Sequence, residues 1–348
     1  MSSILSREYH LSKFDGIHDL AISEVPLPQI RGTEVLVKIH AVSLNFRDLN
    51  VITGTYPLPV KANVIPTSDS AGKIVALGAD VLASKKWAIG DRVCANFALD
   101  HLHGDTSAAI QGTSLGAPVD GVLAEYKAFP AHALVKIPDQ LSYEEASTLP
   151  CAALTAYNAL LGPVPLKGGD TVLVQGTGGV SIFALQIAVA SGATVIATSS
   201  SDAKLQVAKS LGAHHLINYK KTPDWHNEVL RITNGVGVDH VVEVGGSGTM
   251  AKTVQAVRYD GWVHAIGYVA EGGDEVNIAM SAIVKAFTLR GIQIGSVAQF
   301  EDLMKLVTAA DIRPVIDKVF DFEDAGKAYE HLQSQAHVGK VVIKVSRD

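Results

Sequence analysis

The stretch DTVLVQGTGGVSIFALQIAVASG, residues 170–192, decides how this chain is read. A strand-like run, TVLVQ, passes into Gly176-Thr177-Gly178-Gly179-Val180-Ser181 and straight on into an apolar helix. Gly176 permits the tight turn, and Gly178 lets backbone approach a pyrophosphate. The helix beginning near Gly179 offers free N–H groups and the positive end of its dipole. Ser181 takes the third glycine position, where a small residue still allows the helix to pack closely on the strand. A glycine-rich turn without any ligand is the plainer alternative. The elements around it favour a bound dinucleotide, held by Gly176, Gly178, Gly179 and Val180.

Those elements begin at Ser142. SYEEASTLPCAALTAYNALL, VSIFALQIAVASG, AKLQVAKSLG and DWHNEVLRITN have helical periodicity; DTVLVQ, TVIATS, HLINY, HVVEVG, WVHAIG and LRGIQIG between and after them read as strands. Such alternation signals a parallel sheet with helices on both faces, the α/β doubly wound dinucleotide fold. Up to about residue 135 the pattern differs: EVLVKIHAV, GKIVALG, DRVCANF and LAEYKAFP are short β-branched runs broken by turn residues, an irregular β domain. After about residue 296 come two helices, QFEDLMKLVTAA and DAGKAYEHLQSQ, and two strands, VIDKVFDF and GKVVIKV, a tail able to return to the first domain.

Composition excludes several classes of function. With 348 residues, 47% of them hydrophobic and only 18% charged, the chain is long and apolar enough for two cored domains with a cofactor site. A net charge of −6 and the lack of a Lys/Arg block argue against nucleic acid or an anionic membrane, leaving small molecules as expected partners. No apolar run approaches the roughly 18 residues of a membrane span, and MSSILSREYHLSKFDG lacks a secretory core, so a cytoplasmic location is expected. Two cysteines, Cys94 and Cys151, cannot form a disulfide framework or a four-thiolate zinc site.

Which dinucleotide is bound is decided about 20 residues beyond the glycine turn, where an NAD enzyme places an acid on the ribose hydroxyls. Here TVIATS runs into Ser199-Ser200-Ser201-Asp202-Ala203-Lys204. Hydroxyls from Ser199 and Ser200 and the charge of Lys204 suit a 2′-phosphate, so NADP(H) is the expected cofactor. Asp202 opens the next helix and reads as a first-turn or capping acid. Tyr219, closing HLINY, is a second candidate for the adenosine phosphate pocket, or else an aromatic packed at a strand end.

Taken together, AVSLNFRDLNVITGTYP, IPTSDSAGKIVALG, GDRVCANF, DGVLAEY, CAALTAYNAL, the glycine turn, SLGAHHLINY and GKVVIKV resemble the medium-chain dehydrogenase/reductase superfamily along nearly the whole chain. The greatest similarity is to its zinc-free, quinone-oxidoreductase-like branch. The resemblance implies a GroES-like catalytic domain of residues 1–135 and 297–348, a Rossmann domain of residues 136–296, and a homodimer joined through the Rossmann sheets. It also places Thr155 against the nicotinamide, and Asn45 and Tyr56 in the nicotinamide pocket.

The zinc-dependent branch takes a cysteine before a short polar stretch ending in Asp, a histidine within Gly-His-Glu, and a later cysteine. Cys151 matches the last of these. The first is Asn45 and the middle motif reads Thr67-Ser68-Asp69, a poor donor set for tetrahedral zinc, so no metal is expected. A nucleophilic Cys151 would need a base or cation to lower its pKa, and LPCAALTAY supplies neither; packing in a helix, with Thr155 four residues on along the same face, is the expectation.

Without a Lewis acid, simple ketone reduction is difficult, whereas the charge that develops on an enone or quinone is delocalised and needs only hydrogen-bond donors and a proton. Asn45 would orient nicotinamide or substrate, and Tyr56 would donate to the substrate oxygen; their plainer roles are a turn cap and a loop aromatic. Arg47-Asp48 reads as a structural ion pair. Residues 99–121 read as a lid or substrate wall, with His101, His103 and Asp105 as solvated surface, and His214-His215 suit a helix-to-strand turn. The expected function is NADPH-dependent reduction of a quinone or α,β-unsaturated carbonyl. Alternatives are an NADP-linked alcohol dehydrogenase and a non-catalytic NADPH-binding protein.

Overall fold

The computed structural model describes residues 5–346; the first four residues of the N-terminal stretch and the last two of the chain lie outside it. Contacts divide the chain into one unit of residues up to Leu154 and from Gly295 onward, and a second of Thr155–Ile294. The first division thus falls later than residue 135, where the strand-rich pattern ends. The cause is the short helix Tyr143–Ser147, which packs on the strands Glu34–Leu44 and Asp69–Leu77 of the first unit. A capping box fixes its start: Glu145 N–H donates to Ser142 Oγ at 3.1 Å, and the Glu145 carboxylate accepts Ser142 N–H at 2.8 Å.

The spine of the first unit is Glu34–Leu44, whose β-branched residues Val35, Val37, Ile39 and Val42 are all buried. Both faces are covered, which is why its sequence is nearly continuously apolar rather than alternating. It pairs antiparallel with Asp69–Leu77, with Tyr126–Pro130 along its first half, and with Lys340–Lys344 along its last residues. The register sets Ser43 opposite Asp69 and Leu44 opposite Val341, so the end of the spine gathers residues from three distant parts of the chain. The C-terminal tail has returned to the first domain.

In the second unit six parallel strands lie in the order His215–Asn218, Thr194–Ser199, Thr171–Gln175, Val238–Glu243, Val257–Ala265, Thr288–Gly291. Strand order reverses between Thr171–Gln175 and Val238–Glu243, the switch point at which doubly wound sheets open a crevice for a ligand. The helix Gly179–Ala190 leaves the first of these strands and buries Ile182, Phe183, Leu185 and Ile187, as its all-round apolar sequence requires. Among the described residues no helix is long and apolar enough to cross a membrane.

Candidate functional site

The glycine turn lies at the switch point. Gly176 has φ of 71°, a left-handed conformation that a side chain would strain, and its N–H donates to Thr198 Oγ1 at 3.3 Å. Gly178 is the N-cap of the helix Gly179–Ala190, and a Cβ built on either Gly176 or Gly178 would meet nothing within 4 Å. The first turn of the helix therefore faces open space at both glycines, which suits a pyrophosphate against helix N–H groups. Ser181 is buried and donates to Gln175 O at 2.6 Å, locking helix to strand.

Beside the turn lies a network that sequence reading missed. Glu243, fully buried at the end of the neighbouring strand, accepts from Gln175 Nε2 at 2.7 Å, Thr249 Oγ1 at 2.5 Å, and the N–H groups of Gly245 and Gly246 at 2.8 and 2.9 Å. Thr253 Oγ1 donates to it as well. A carboxylate so fully hydrogen-bonded rigidifies both lips of the switch point.

One strand over, Ser199 ends Thr194–Ser199 and its carbonyl accepts Tyr219 N–H at 3.0 Å, so Ser199 and Tyr219 meet at the same rim. Ser201 caps the helix Asp202–Ser210, which places Lys204 in its first turn, and Ser200 lies between strand and cap. Asp202 is exposed; Asn218 Nδ2 donates to it at 2.7 Å and Lys221 pairs with it, and these two partners pull its carboxyl below its ordinary range. Thr155 heads the second unit. It is 2% exposed, and among the described residues its Oγ1 has no hydrogen-bond partner, an unmet need normally filled in a folded protein.

In the first unit the chemistry gathers at the end of the spine. Asn45 caps the helix Phe46–Ile52, whose existence the strand-rich pattern had hidden, and its N–H donates to Asp48 Oδ2 at 2.8 Å. Lys340, only 3% exposed, donates through Nζ to Asn45 Oδ1 at 2.5 Å and to Leu44 O at 2.6 Å. Asp69, fully buried, accepts from Ser68 Oγ at 2.6 Å and from Cys151 N–H at 3.1 Å. Burial pushes the Asp69 carboxyl up while the Lys340 charge pulls it back. Burial likewise raises Asp48 to about 6, against the pull of Arg47. Arg47 Nη1 reaches Asp48 Oδ1 at 3.4 Å and Leu115 O at 3.1 Å, and Nε donates to the Tyr56 hydroxyl at 3.4 Å. Its guanidinium lies 4.8 Å from the Tyr56 ring centre and 4.9 Å from that of Phe97. Asn45, Tyr56, Arg47, Asp48, Asp69, Cys151 and Lys340 thus share one corner of this unit.

Several expectations change. Cys151 is buried, and burial followed by the Asp69 charge pushes its thiol far up, away from nucleophilic character. It does not sit in a straight α-helix: Leu149–Ala153 is a π turn leading into the α-helix Leu154–Leu161, so four-residue spacing does not put Cys151 and Thr155 on one helical face. The Cys151 N–H goes to Asp69 instead. His101 is not solvated surface. It is 5% exposed, its Nε2 bonds Gly104 O at 3.0 Å, and its carbonyl accepts the first N–H of the helix Val297–Ala309 at 2.8 Å. His103 and Asp105 are exposed. Nor is 99–121 wholly a wall: Leu115 and Ala117 are fully buried core, and Leu115 anchors Arg47. His214 joins helix to strand, its Nδ1 accepting Val195 N–H at 3.1 Å.

Lys340 Nζ donates to Asn45 Oδ1, the Ser68 hydroxyl is spent on Asp69, and burial pushes the Cys151 thiol up. Among the described residues no three His, Cys, Asp or Glu side chains are grouped to hold an ion.

Comparison with known proteins finds the same architecture. Residues 31–139 match the alcohol dehydrogenase GroES-like domain and residues 179–309 match the zinc-binding dehydrogenase family. A zinc-type alcohol dehydrogenase-like protein of Schizosaccharomyces pombe is 47% identical over 339 residues, 96% of this chain and 97% of that protein. Human quinone oxidoreductase is 26% identical, over 97% of this chain and 98% of its own. A solved Sinorhizobium meliloti structure classed with the alcohol dehydrogenases superposes with a TM-score of 0.90 at 38% identity, covering 99% of this chain and 100% of that one.

Proposed function

The chain belongs to the medium-chain dehydrogenase/reductase superfamily, with a GroES-like domain and a Rossmann domain, and we propose that it is an NADPH-dependent reductase of quinones or α,β-unsaturated carbonyls that needs no catalytic zinc. The observation that carries this reading is Lys340: a buried ammonium rests on Asn45 where a zinc enzyme would place its first thiolate. An acceptor that delocalises its own developing charge suits such a site, because only donors and a proton are then required. When bound, the cofactor supplies a hydride from nicotinamide C4.

The residues divide the remaining work. Gly176, Gly178, Gly179 and Val180 cradle the pyrophosphate. Ser199, Ser200, Lys204 and Tyr219 take the 2′-phosphate, with Asp202 paired to Lys221 and hydrogen-bonded by Asn218. The Thr155 hydroxyl, otherwise unpartnered, serves the nicotinamide end. Asn45, with Oδ1 held by Lys340, lines the substrate or nicotinamide pocket, and Tyr56 supplies the proton. The deciding experiment screens NADPH oxidation against quinones, enones, aldehydes and ketones, on protein of measured metal content. NADP⁺-linked oxidation of simple alcohols would favour the alcohol dehydrogenases for which the 47% identical relative is named. Tight NADPH binding with no turnover of any acceptor would leave a binding protein.

Three expectations accompany this proposal. Lys204→Ala weakens NADPH about ten- to a hundredfold, the loss of one charge-assisted contact, and leaves NADH nearly unchanged. Equal losses for both cofactors in a binding titration would remove the 2′-phosphate role. Elemental analysis finds zinc well below one atom per subunit, and Cys151→Ser stays active with a stability loss of about 1–2 kcal/mol. Stoichiometric zinc together with an inactive Cys151→Ser protein would overturn the metal-free mechanism. The third concerns assembly as a homodimer through the edge strand Thr288–Gly291. Its support is a sheet edge without a pairing strand among the described residues, close in sequence to the exposed Met280, Ile283 and Val284 of the helix Ile278–Lys285. A light-scattering mass of one subunit would count against it.

A further inference from the structure

We propose that Arg47 is a catalytic oxyanion donor that acts together with Tyr56 on acceptors carrying a carbonyl or quinone oxygen; the inference rests on the reductase function given above. Arg47 is the most incompletely used cation of this corner. Its side chain is 10% exposed, Nη1 and Nε are engaged, and among the described residues Nη2 is buried with no acceptor. A structural ion pair with Asp48 does not need that arrangement, because Asp48 Oδ2 is already satisfied by the Asn45 N–H and Oδ1 meets Arg47 only at 3.4 Å. Buried guanidinium N–H groups left without acceptors are costly, and such groups in folded proteins call for a bound partner or a catalytic role.

The charge and donor character of Nη2 indicate the partner. Asn45 Nδ2 and Thr67 Oγ1 are also buried without partners at hydrogen-bonding geometry, although the Asn45 amide lies near enough to Asp69 to hold that carboxyl down. Arg47 Nη2 is a donor, so its missing ligand is an acceptor, and beside a guanidinium an anionic oxygen fits best. Two carboxylates, Asp48 and Asp69, would repel a permanently anionic ligand. An oxygen that is neutral on arrival and becomes negative during reaction meets no such barrier at entry.

Tyr56 completes the device. Its ring covers the guanidinium and is itself half-exposed, so an acceptor that displaces the ring edge meets Nη2 and the phenol together. Because Arg47 Nε donates to the phenol oxygen, the Tyr56 O–H is left free to point at the substrate. Hydride addition from the reduced nicotinamide to the β-carbon moves the C=C pair toward the carbonyl and makes an enolate, whose oxygen Nη2–H holds. The Tyr56 O–H bond then breaks, its proton passes to the enolate, and the phenolate stays paired with Arg47 until water reprotonates it. The acceptor gains two electrons and two hydrogens, and the nicotinamide is oxidised.

The test uses protein saturated with NADP⁺ and 4-nitrophenol, whose visible absorbance reports how much of the bound probe is ionised. The probe enters as the neutral phenol, and wild type is expected to hold it ionised, as it would an oxygen that becomes negative during reaction. The paired variant Arg47→Gln/Asp48→Asn removes both charges while the introduced amide oxygen remains available to the Asn45 N–H; it should bind the phenolate about ten- to a hundredfold more weakly and lower kcat with unchanged NADPH KM. Arg47→Lys keeps the charge without the planar fork, and should lie between the two. It serves as the decisive variant if the paired one does not fold. A folded variant, by melting curve, with wild-type phenolate affinity and wild-type kcat overturns the role of Arg47. The two proposals fail separately: wild type that reduces no quinone or enone, yet binds the phenolate through Arg47, ends the reductase function and leaves the oxyanion site.

Discussion

Lys340→Met is expected to destabilise the first unit by about 3–5 kcal/mol, a large share of the stability of any domain. The side chains are similar in length, so packing is nearly kept and the charge is what disappears. Wild-type Lys340 donates to Leu44 O and Asn45 Oδ1 from a fully enclosed position, and its charge is the main attraction offsetting burial of Asp69. Without it, both acceptors lose their donor and Asp69 keeps only Ser68, Cys151 N–H and the nearby Asn45 amide. The sign with pH follows from the direction of that shift. The folded-state pKa of Asp69 is already above its unfolded value, and losing Lys340 raises it further, so protonation favours the folded variant. The deficit should be larger in a mildly alkaline buffer than in a mildly acidic one, because the stability favoured by protonation is lost as pH rises through the folded-state pKa. Adding Asp69→Asn should recover most of the loss, since removing both charges of a buried pair costs far less than removing one. Urea midpoints at the two pH values provide the measurement, and an unchanged midpoint at the higher pH would show that Lys340 carries no such burden.

The contrast between what was legible in sequence and what was not follows from distance along the chain. The glycine turn can be read because strand, turn and helix are contiguous, and each residue's role depends on its immediate neighbours: Gly176 on its φ, Gly178 on the helix it caps. The parallel, doubly wound sheet follows from the strand–helix alternation for the same reason. Lys340 is different. It lies 295 residues from Asn45, and only the pairing of the last strand with the spine brings them together. The one local hint was a lysine at the head of the strand KVVIK, followed directly by three apolar residues. Arg47 and Tyr56 are nine residues apart, a spacing set by a helix that β-branched residues disguised as part of a strand-rich region; Asn45 with an acid three residues on was its signature. The π turn at Leu149–Ala153 was invisible to a pattern that expects 3.6 residues per turn. Pro150, which has no N–H to give the helix, was the available clue.

Tyr56→Phe is expected to lower kcat about a hundredfold or more while changing NADPH KM little, within the range that a positioned general acid contributes. The substitution is clean because phenylalanine keeps the ring that packs 4.8 Å from the Arg47 guanidinium and removes only the hydroxyl that Nε holds. Folding should therefore be nearly unaffected, and any loss of rate belongs to the hydroxyl. Two observations separate proton donation from simple positioning. If the O–H bond breaks in the slow step, the wild type shows a solvent deuterium effect on kcat that Tyr56→Phe alters, and the variant's loss depends on acceptor. Enones, whose enolates must gain a proton before release, should suffer more than quinones, whose reduced oxygens are weaker bases and take protons readily from water. An equal kcat for wild type and variant across the pH range, with either acceptor, would reduce Tyr56 to a cover over Arg47 and assign the proton to solvent.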